Sequence, residues 1–408
     1  MNEDLSASEA AHILGVSLST LYSYVSRGLL PSMDSGTSRR KRYPQEAVLR
    51  LAARKGDAKR GGQAAVAAMH WGLPVLETHI SQIANGRLLY RGVDAAALAQ
   101  HATLEAAAVL LWNEGQADYF SACTPAPALA DVADGWLARM LAMAPAAPPL
   151  ARAMAVMPLL EHQLATPTHT PQAMLAAGPM LMRVLAAVLL RSPPGVLPLH
   201  VQVARAWGAD AAQAELIRAA LVLLADHELN ASTFAVRCVA STGASLPAAL
   251  AAGLGALSGA RHGGGSAAAR RMLLGALDSP RPSDAIAAFY QAIAPELAGL
   301  GHPLYPHGDP RAACLLARLA PMAQHASRLA AILAVCATAS ELLDARPNAD
   351  LALAAMELAF GWPEGAGSSL FALARAAGWI AHAAEQAGSG AMIRPRARYV
   401  GRAYREEA

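Results

Sequence analysis

Gly299-Leu300-Gly301-His302-Pro303-Leu304-Tyr305-Pro306-His307-Gly308-Asp309-Pro310-Arg311 is a stretch in which glycine and proline interrupt any regular element while an imidazole, a carboxylate and a guanidinium fall close together. Two other segments share this character, Arg261-His262-Gly263-Gly264 upstream and Pro347-Asn348-Ala349-Asp350 downstream. Glycine lets backbone approach a ligand and frees N–H groups for an anion or an enolate. Two imidazoles and a carboxylate in such settings point to an acid/base site. Arg311 adds a planar fork that binds a carboxylate through two parallel bonds and stays charged in a dry site. Taken locally, Asp350 also reads as a helix N-cap, since Leu351-Ala352-Leu353-Ala354 follows it.

The surrounding composition favours an all-α protein. Of 408 residues, 54% are hydrophobic and 15% charged, enough to bury a large core, while aromatics reach only 5% and alanine and leucine dominate. The 26 prolines and 32 glycines then punctuate many helices. Four cysteines, Cys123, Cys238, Cys314 and Cys336, have no metal-ligand spacing and sit among apolar neighbours, which fits a reduced, cytoplasmic protein. The first residues are polar and acidic, and the apolar run 180–190 is interrupted by Arg183, so neither a signal peptide nor a membrane span is expected.

The net charge of +3 is unevenly distributed, because the basic excess belongs to residues 1–60. There Ser6-Ala7-Ser8-Glu9 reads as a capping box, with Ala10, Ile13 and Leu14 as the apolar face of the helix that follows. Gly15 permits a turn, and Ser17 caps a second helix with Leu18, Leu21 and Val25 inward and Ser19, Thr20, Tyr22, Ser23 and Arg27 outward. A basic run, Arg39-Arg40-Lys41-Arg42-Tyr43, precedes a further helix over 45–54. This pattern resembles the MerR-type or excisionase-type winged helix-turn-helix, which implies DNA contacts from Ser19, Thr20, Tyr22, Arg39, Arg40, Lys41 and Arg42. Residues 61–72 read as a linker.

Beyond the linker, the chain resembles the citrate synthase family. The resemblance is carried by Tyr90-Arg91-Gly92, by His227-Glu228-Leu229-Asn230-Ala231-Ser232-Thr233, by the three segments above, and by Ile393-Arg394-Pro395-Arg396. It implies a two-domain helical body, with a large domain over 73–258 and 359–408 and a small domain over 259–358. It also implies roles. His262 would hydrogen-bond a thioester carbonyl as it becomes an enolate, Asp350 would take the α-proton, and His302 would polarise the ketone of oxaloacetate. His227, Arg311, Arg375 and Arg394 would hold that substrate, with Arg394 reaching in from the partner of a homodimer. Ser232, beside Asn230, would orient the His262 ring.

The implied reaction condenses acetyl-CoA with oxaloacetate and needs no metal or redox cofactor. Two departures stand out. Relatives commonly continue the His-Gly-Gly run with Ala-Asn-Glu, where this chain has Gly265-Ser266-Ala267, and many carry arginine or lysine where this chain has Pro306-His307-Gly308. Weaker coenzyme A affinity is expected from the second. Two alternatives stay open: a 2-methylcitrate synthase using propionyl-CoA, and a transcription regulator whose body senses a di- or tricarboxylate or an acyl-CoA.

Overall fold

A computed structural model describes residues 4–14, 16–26, 30–34, 41–44, 48, 76–112, 119–120, 135–143, 146–164, 167–397 and 399–401. The chain divides into two compact units, Met1–Glu77 and Thr78–Ala408. The expected linker at 61–72, and Arg27, Arg39 and Arg40, lie outside the described residues, as does most of the helix expected at 45–54.

In the first unit, α1 (Ala7–Leu14) and α2 (Leu18–Ser26) pack with an antiparallel sheet of order β1 (Asp4–Leu5), β3 (Lys41–Pro44), β2 (Met33–Asp34). The capping box forms as its chemistry requires: the Ser6 N–H donates to Glu9 Oε2 at 2.8 Å, and the Glu9 N–H donates to Ser6 Oγ at 3.4 Å. Ala10, Ala11, Leu14, Leu21, Leu30, Tyr43 and Val48 form the core. Two inward assignments fail, because Ile13 is 38% and Leu18 46% exposed. The buried stripe of α1 runs through 10, 11 and 14, which puts Ile13 roughly 100° to one side.

The second unit opens with a meander of β4 (Ser81–Ala84), β5 (Arg87–Tyr90) and β6 (Val93–Asp94). Asn85 and Gly86 both take positive φ, 51° and 72°, the combination a two-residue hairpin turn demands. Helices follow: α3 (Ala95–Leu98), α4 (Leu104–Trp112), α5 (Trp136–Met143), α6 (Pro149–Val156), α7 (Pro171–Leu190), α8 (Leu199–Trp207), α9 (Ala211–Leu223), α10 (Ala231–Ala240), α11 (Leu246–Leu257), α12 (Gly265–Leu277), α13 (Pro282–Ala292), α14 (Pro310–Leu319), α15 (Ser327–Leu342), α16 (Ala349–Phe360) and α17 (Ala366–Ser389).

The centre is α17. Its sequence reads as amphipathic, yet α4, α7, α10 and α11 pack around it and bury it on almost every side, Trp379 and Arg375 included. Helix α7 is long and apolar enough to cross a membrane by length and composition, but 67% of its apolar window is buried, against α17, α6 and α8. A second, smaller apolar cluster joins α12, α13, α15 and one face of α16, with Met272, Leu273, Ile286, Leu300, Ile332 and Leu351. The other face of α16, Ala352, Leu353 and Met356, belongs to the larger cluster, as do Ala312, Leu315 and Leu319 of α14. Helix α16, with one face in each cluster, therefore lies between them, and α14 packs on its larger-cluster side. The functional residues gather along that seam.

Candidate active site

The chain leaves α9 through a fully buried Asp226 and reaches His227, which is 6% exposed. Asp226 is held by the Ser81 hydroxyl and by His382 Nε2 at 3.4 Å, and burial, which raises its pKa, is outweighed by His382 and Arg375. A Cβ at Gly378 would collide with this carboxylate, so α17 presses directly on it. His227 Nε2 lies 3.0 Å from the Tyr305 hydroxyl, and its ring stands edge-on to His302 with centroids 5.2 Å apart. Burial first, then Arg311 and Arg375, push the His227 pKa well down, so the ring is neutral.

His302 follows a glycine with φ 77°. The Leu304 N–H donates to its Nδ1 at 3.2 Å. A backbone N–H can only donate, so Nδ1 is bare and Nε2 carries the proton. Burial and the Arg311 charge lower its pKa to about 4, leaving a neutral donor. Seven residues on, Asp309 caps α14 and accepts both prongs of Arg311, Nε at 2.9 Å and Nη2 at 2.8 Å, as well as the Ala349 N–H at 3.0 Å. The expected carboxylate grip of Arg311 is thus partly taken within the chain. Burial opposes its charge, but Asp309 outweighs burial and raises its pKa.

His262 sits in the turn between α11 and α12, with Nε2 2.8 Å from Ser232 Oγ. Ser232 Oγ also accepts the Trp379 indole N–H at 3.2 Å and lies 2.7 Å from Asn230 Oδ1. Asn230 is the N-cap of α10, accepting the Thr233 N–H. Asn230 Oδ1 can only accept, so it takes the one serine proton, and His262 Nε2 donates to Ser232 Oγ; were that proton turned to His262 instead, the imidazole proton would sit on Nδ1. Burial and Arg375 lower the His262 pKa to about 4.

Asp350 is not the N-cap of α16. That role belongs to Asn348, whose Oδ1 accepts the Asp350 N–H at 3.0 Å. The aspartate side chain is thereby released, and its Oδ1 is buried with no hydrogen-bond partner among the described residues. Burial raises its pKa to about 6 against the opposing charge of Arg311. Arg375, 1% exposed, spends Nε on the Leu224 carbonyl, and its Nη1 and Nη2 are likewise unpartnered among the described residues. Its guanidinium lies 4.7 Å from the Phe371 ring centroid, and burial lowers its pKa to about 10, so it stays charged.

His227, His262, His302, Arg311, Asp350 and Arg375, with Ser232 and Asn230 behind them, are thus brought together. The arrangement can remove a proton from a weak carbon acid, meet developing negative charge with neutral imidazoles, and hold a carboxylate on Arg375. Arg394 is not among them: it is exposed on the tail, donating to the Pro395 carbonyl at 3.3 Å. Tyr305, Asp226 and Trp379 were given no role by sequence, and Asp309 was noted only as a carboxylate near His302 and Arg311. Asp309 had a signal, a capping residue before proline, whereas Asp226 and His382 are too far apart in sequence to show one. In the first unit, Lys41 and Arg42 are exposed on β3 and Tyr22 is 52% exposed, but Thr20 is tied to the cap through Ser17 Oγ at 2.9 Å, and the side chain of Ser19 is outside the description.

Comparison with known proteins shows the family and the fold. The family model "Helix-turn-helix domain" matches residues 5–56, and "Citrate synthase, C-terminal domain" matches residues 68–396. A citrate synthase of Haloferax volcanii is 37% identical over 191 residues, 46% of this chain and 50% of that protein. A 2-methylcitrate synthase of Corynebacterium glutamicum is 33% identical over 200 residues, again 46% of this chain and 50% of its own length. The chain spans about half the length of the curated relatives it matches. Among solved structures, a Thermoplasma acidophilum citrate synthase in ternary complex with carboxymethyl coenzyme A and oxaloacetate superposes with a TM-score of 0.69 at 21% identity, covering 82% of this chain and 96% of that one. The Thermotoga maritima citrate synthase gives 0.65 at 25% identity, covering 83% and 96%. With the family model spanning most of its length, this chain belongs to the citrate synthase family and carries a helix-turn-helix domain ahead of it.

Proposed function

We propose that the helical body condenses acetyl-CoA with oxaloacetate to citrate and free coenzyme A. The observation that carries this is the unpartnered, enclosed Asp350 Oδ1 in the same cluster as neutral His262 and His302. Asp350 takes a proton from the thioester α-carbon, and as the Ser232 proton turns from Asn230 to His262 Nε2, His262 Nδ1–H stabilises the enolate oxygen. A carboxylate is a weak base for so weak an acid, so preorganised donors carry the step. The α-carbon attacks the ketone, whose oxygen is met by His302 Nε2–H. Arg375, with what remains of Arg311, holds the oxaloacetate carboxylates, and water then cleaves the citryl thioester. No step calls for a metal or redox cofactor. A cavity of 460 Å³ beside His302, lined by His307 and Arg346 among others, suits the carrier end of an acyl-CoA.

A homodimer completes the site through Arg394 of the second copy. The exposure of Arg394 and of the apolar Met392, Tyr399 and Val400 on one tail supports this. Residues 1–60 bind DNA, on the support of the matched domain and exposed Lys41 and Arg42. The body is assigned as the large domain 73–258 with 359–408 and the small domain 259–358. The free Cys238, Cys314 and Cys336 fit a cytoplasmic location. The helix-turn-helix domain also supports a second reading, a regulator that senses a carboxylate or an acyl-CoA. Thiol release from acetyl-CoA or propionyl-CoA, with and without oxaloacetate, decides: oxaloacetate-dependent release is expected, propionyl-CoA preference would make it a 2-methylcitrate synthase, and no release from either would leave the sensor.

A further inference from the structure

We infer that Glu228 is a positioning residue: its carboxylate, fastened to the outer strand of the meander, holds a left-handed turn that sets His227 in the site. Glu228 lies between α9 and α10 with φ 51°, a conformation that is costly for most residues with a Cβ. Glycine would adopt it freely, so a glutamate there needs ties that offset the strain. Its own hydrogen-bonding groups supply them. Glu228 Oε1 accepts the Ile83 N–H of β4, and the Glu228 N–H reaches Ser81 Oγ and Asp226 Oδ2, each at 3.1 Å. Among the described residues β4 is the outer strand of its sheet, and in its register with β5 the Ile83 N–H faces outward. On the other side of His227, Asp226 is held by Ser81, by His382 and by the Tyr90 hydroxyl, which accepts the Asp226 N–H at 3.3 Å. Both chain neighbours of His227 are thus tied to the meander, while its ring goes to Tyr305 and His302. Loss of the Glu228 carboxylate would release the turn on its strained side.

That His227 meets oxaloacetate rests on the function proposed above, but the hold on its backbone does not, and the test separates them. Glu228→Ala removes the carboxylate and keeps a Cβ, Glu228→Gly removes it and frees φ, and Glu228→Gln keeps an oxygen that accepts the Ile83 N–H. The first readout is the pair of His227 ring-nitrogen resonances in protein labelled at histidine, identified by their absence from His227→Asn. The second is oxaloacetate affinity by calorimetry. Expected in Glu228→Ala and Glu228→Gly are displaced resonances and about 10-fold weaker oxaloacetate binding, the worth of one hydrogen bond to a charged group, with both returning toward wild type in Glu228→Gln. The loss should enter KM for oxaloacetate rather than kcat, since His227 holds the substrate. Relief of the left-handed strain should give Glu228→Gly the higher unfolding midpoint of the two. If Glu228→Ala does not fold, Glu228→Gly carries the test, and failure of both overturns the inference, because the carboxylate then serves the fold at large. Unmoved resonances in a folded variant, or displaced ones that Glu228→Gln leaves displaced, also overturn it. Displaced resonances with wild-type affinity support the hold on His227 and take that ring off the substrate. A wild-type protein that neither binds nor turns over oxaloacetate would sink the proposed reaction, and the resonances would still decide the role of Glu228.

Discussion

Replacing Asp350 with asparagine should make the protein inactive and more stable, and the two effects share a cause. Burial raises the Asp350 pKa from 3.8 to about 6. A carboxyl whose folded pKa lies above its unfolded value binds its proton more tightly when folded. It therefore costs nothing below pH 3.8, and its ionisation penalty grows as pH rises and is complete above about pH 6. At about 1.36 kcal/mol per pH unit, the difference amounts to about 3 kcal/mol at neutral pH. An asparagine side chain has the same shape without the charge, so Asp350→Asn should gain up to about 3 kcal/mol at pH 7, the gain shrinking to nothing as pH falls below about 4. Turnover should fall ~10²–10⁴-fold with loss of the base, about 3–5 kcal/mol in the barrier. Oxaloacetate affinity, measured by calorimetry, should stay near wild type. In the wild type, kcat/KM should fall with a midpoint near pH 6, to about one tenth of its plateau at pH 5. His262 and His302, with pKa values of about 4, remain neutral over that range. Urea unfolding at pH 7 and pH 4 with thiol-release kinetics gives both readouts. An Asp350→Asn protein less stable than wild type at pH 7 would refute the enclosed carboxylate, and one with wild-type turnover would refute its role as base.

Arg375→Met keeps the length of the side chain and removes both unpartnered Nη groups, so oxaloacetate affinity should fall roughly 30-fold or more, and unchanged calorimetric binding would move the carboxylate elsewhere. Alanine at Arg39, Arg40, Lys41 and Arg42 should weaken DNA binding and flatten its dependence on salt, as phosphate contacts are lost; an unchanged slope in gel-shift titrations would take the wing off the backbone. Refolding Arg394→Ala chains together with Asp350→Ala chains should restore activity to about one quarter of all sites, because half the dimers are mixed and one site in each mixed dimer has both residues. No recovery, with mixed dimers verified by mass, would place Arg394 in its own chain's site or outside it.

Much of the site was legible locally. A histidine among glycines, an Asp-Pro-Arg helix start and an Asn-Ala-Asp helix start each announce their chemistry within a few residues, since caps and turns are set by neighbours in the chain. The capping box at Ser6 and the hairpin at Asn85-Gly86 formed as written for the same reason. Tertiary structure decided what distance along the chain conceals. Helix α17 reads as amphipathic, and only packing by other helices makes it the buried centre. Asn348, not Asp350, takes the cap, a choice between two suitable side chains that depends on how the chain enters α16. Asp309 occupies two prongs of Arg311, and His382 reaches Asp226 across 156 positions. A periodicity records which residues are apolar, and a motif records which can react. Whether a carboxylate ends as a cap, a counter-ion or a bare base is settled by burial and by which donors the packed helices leave beside it.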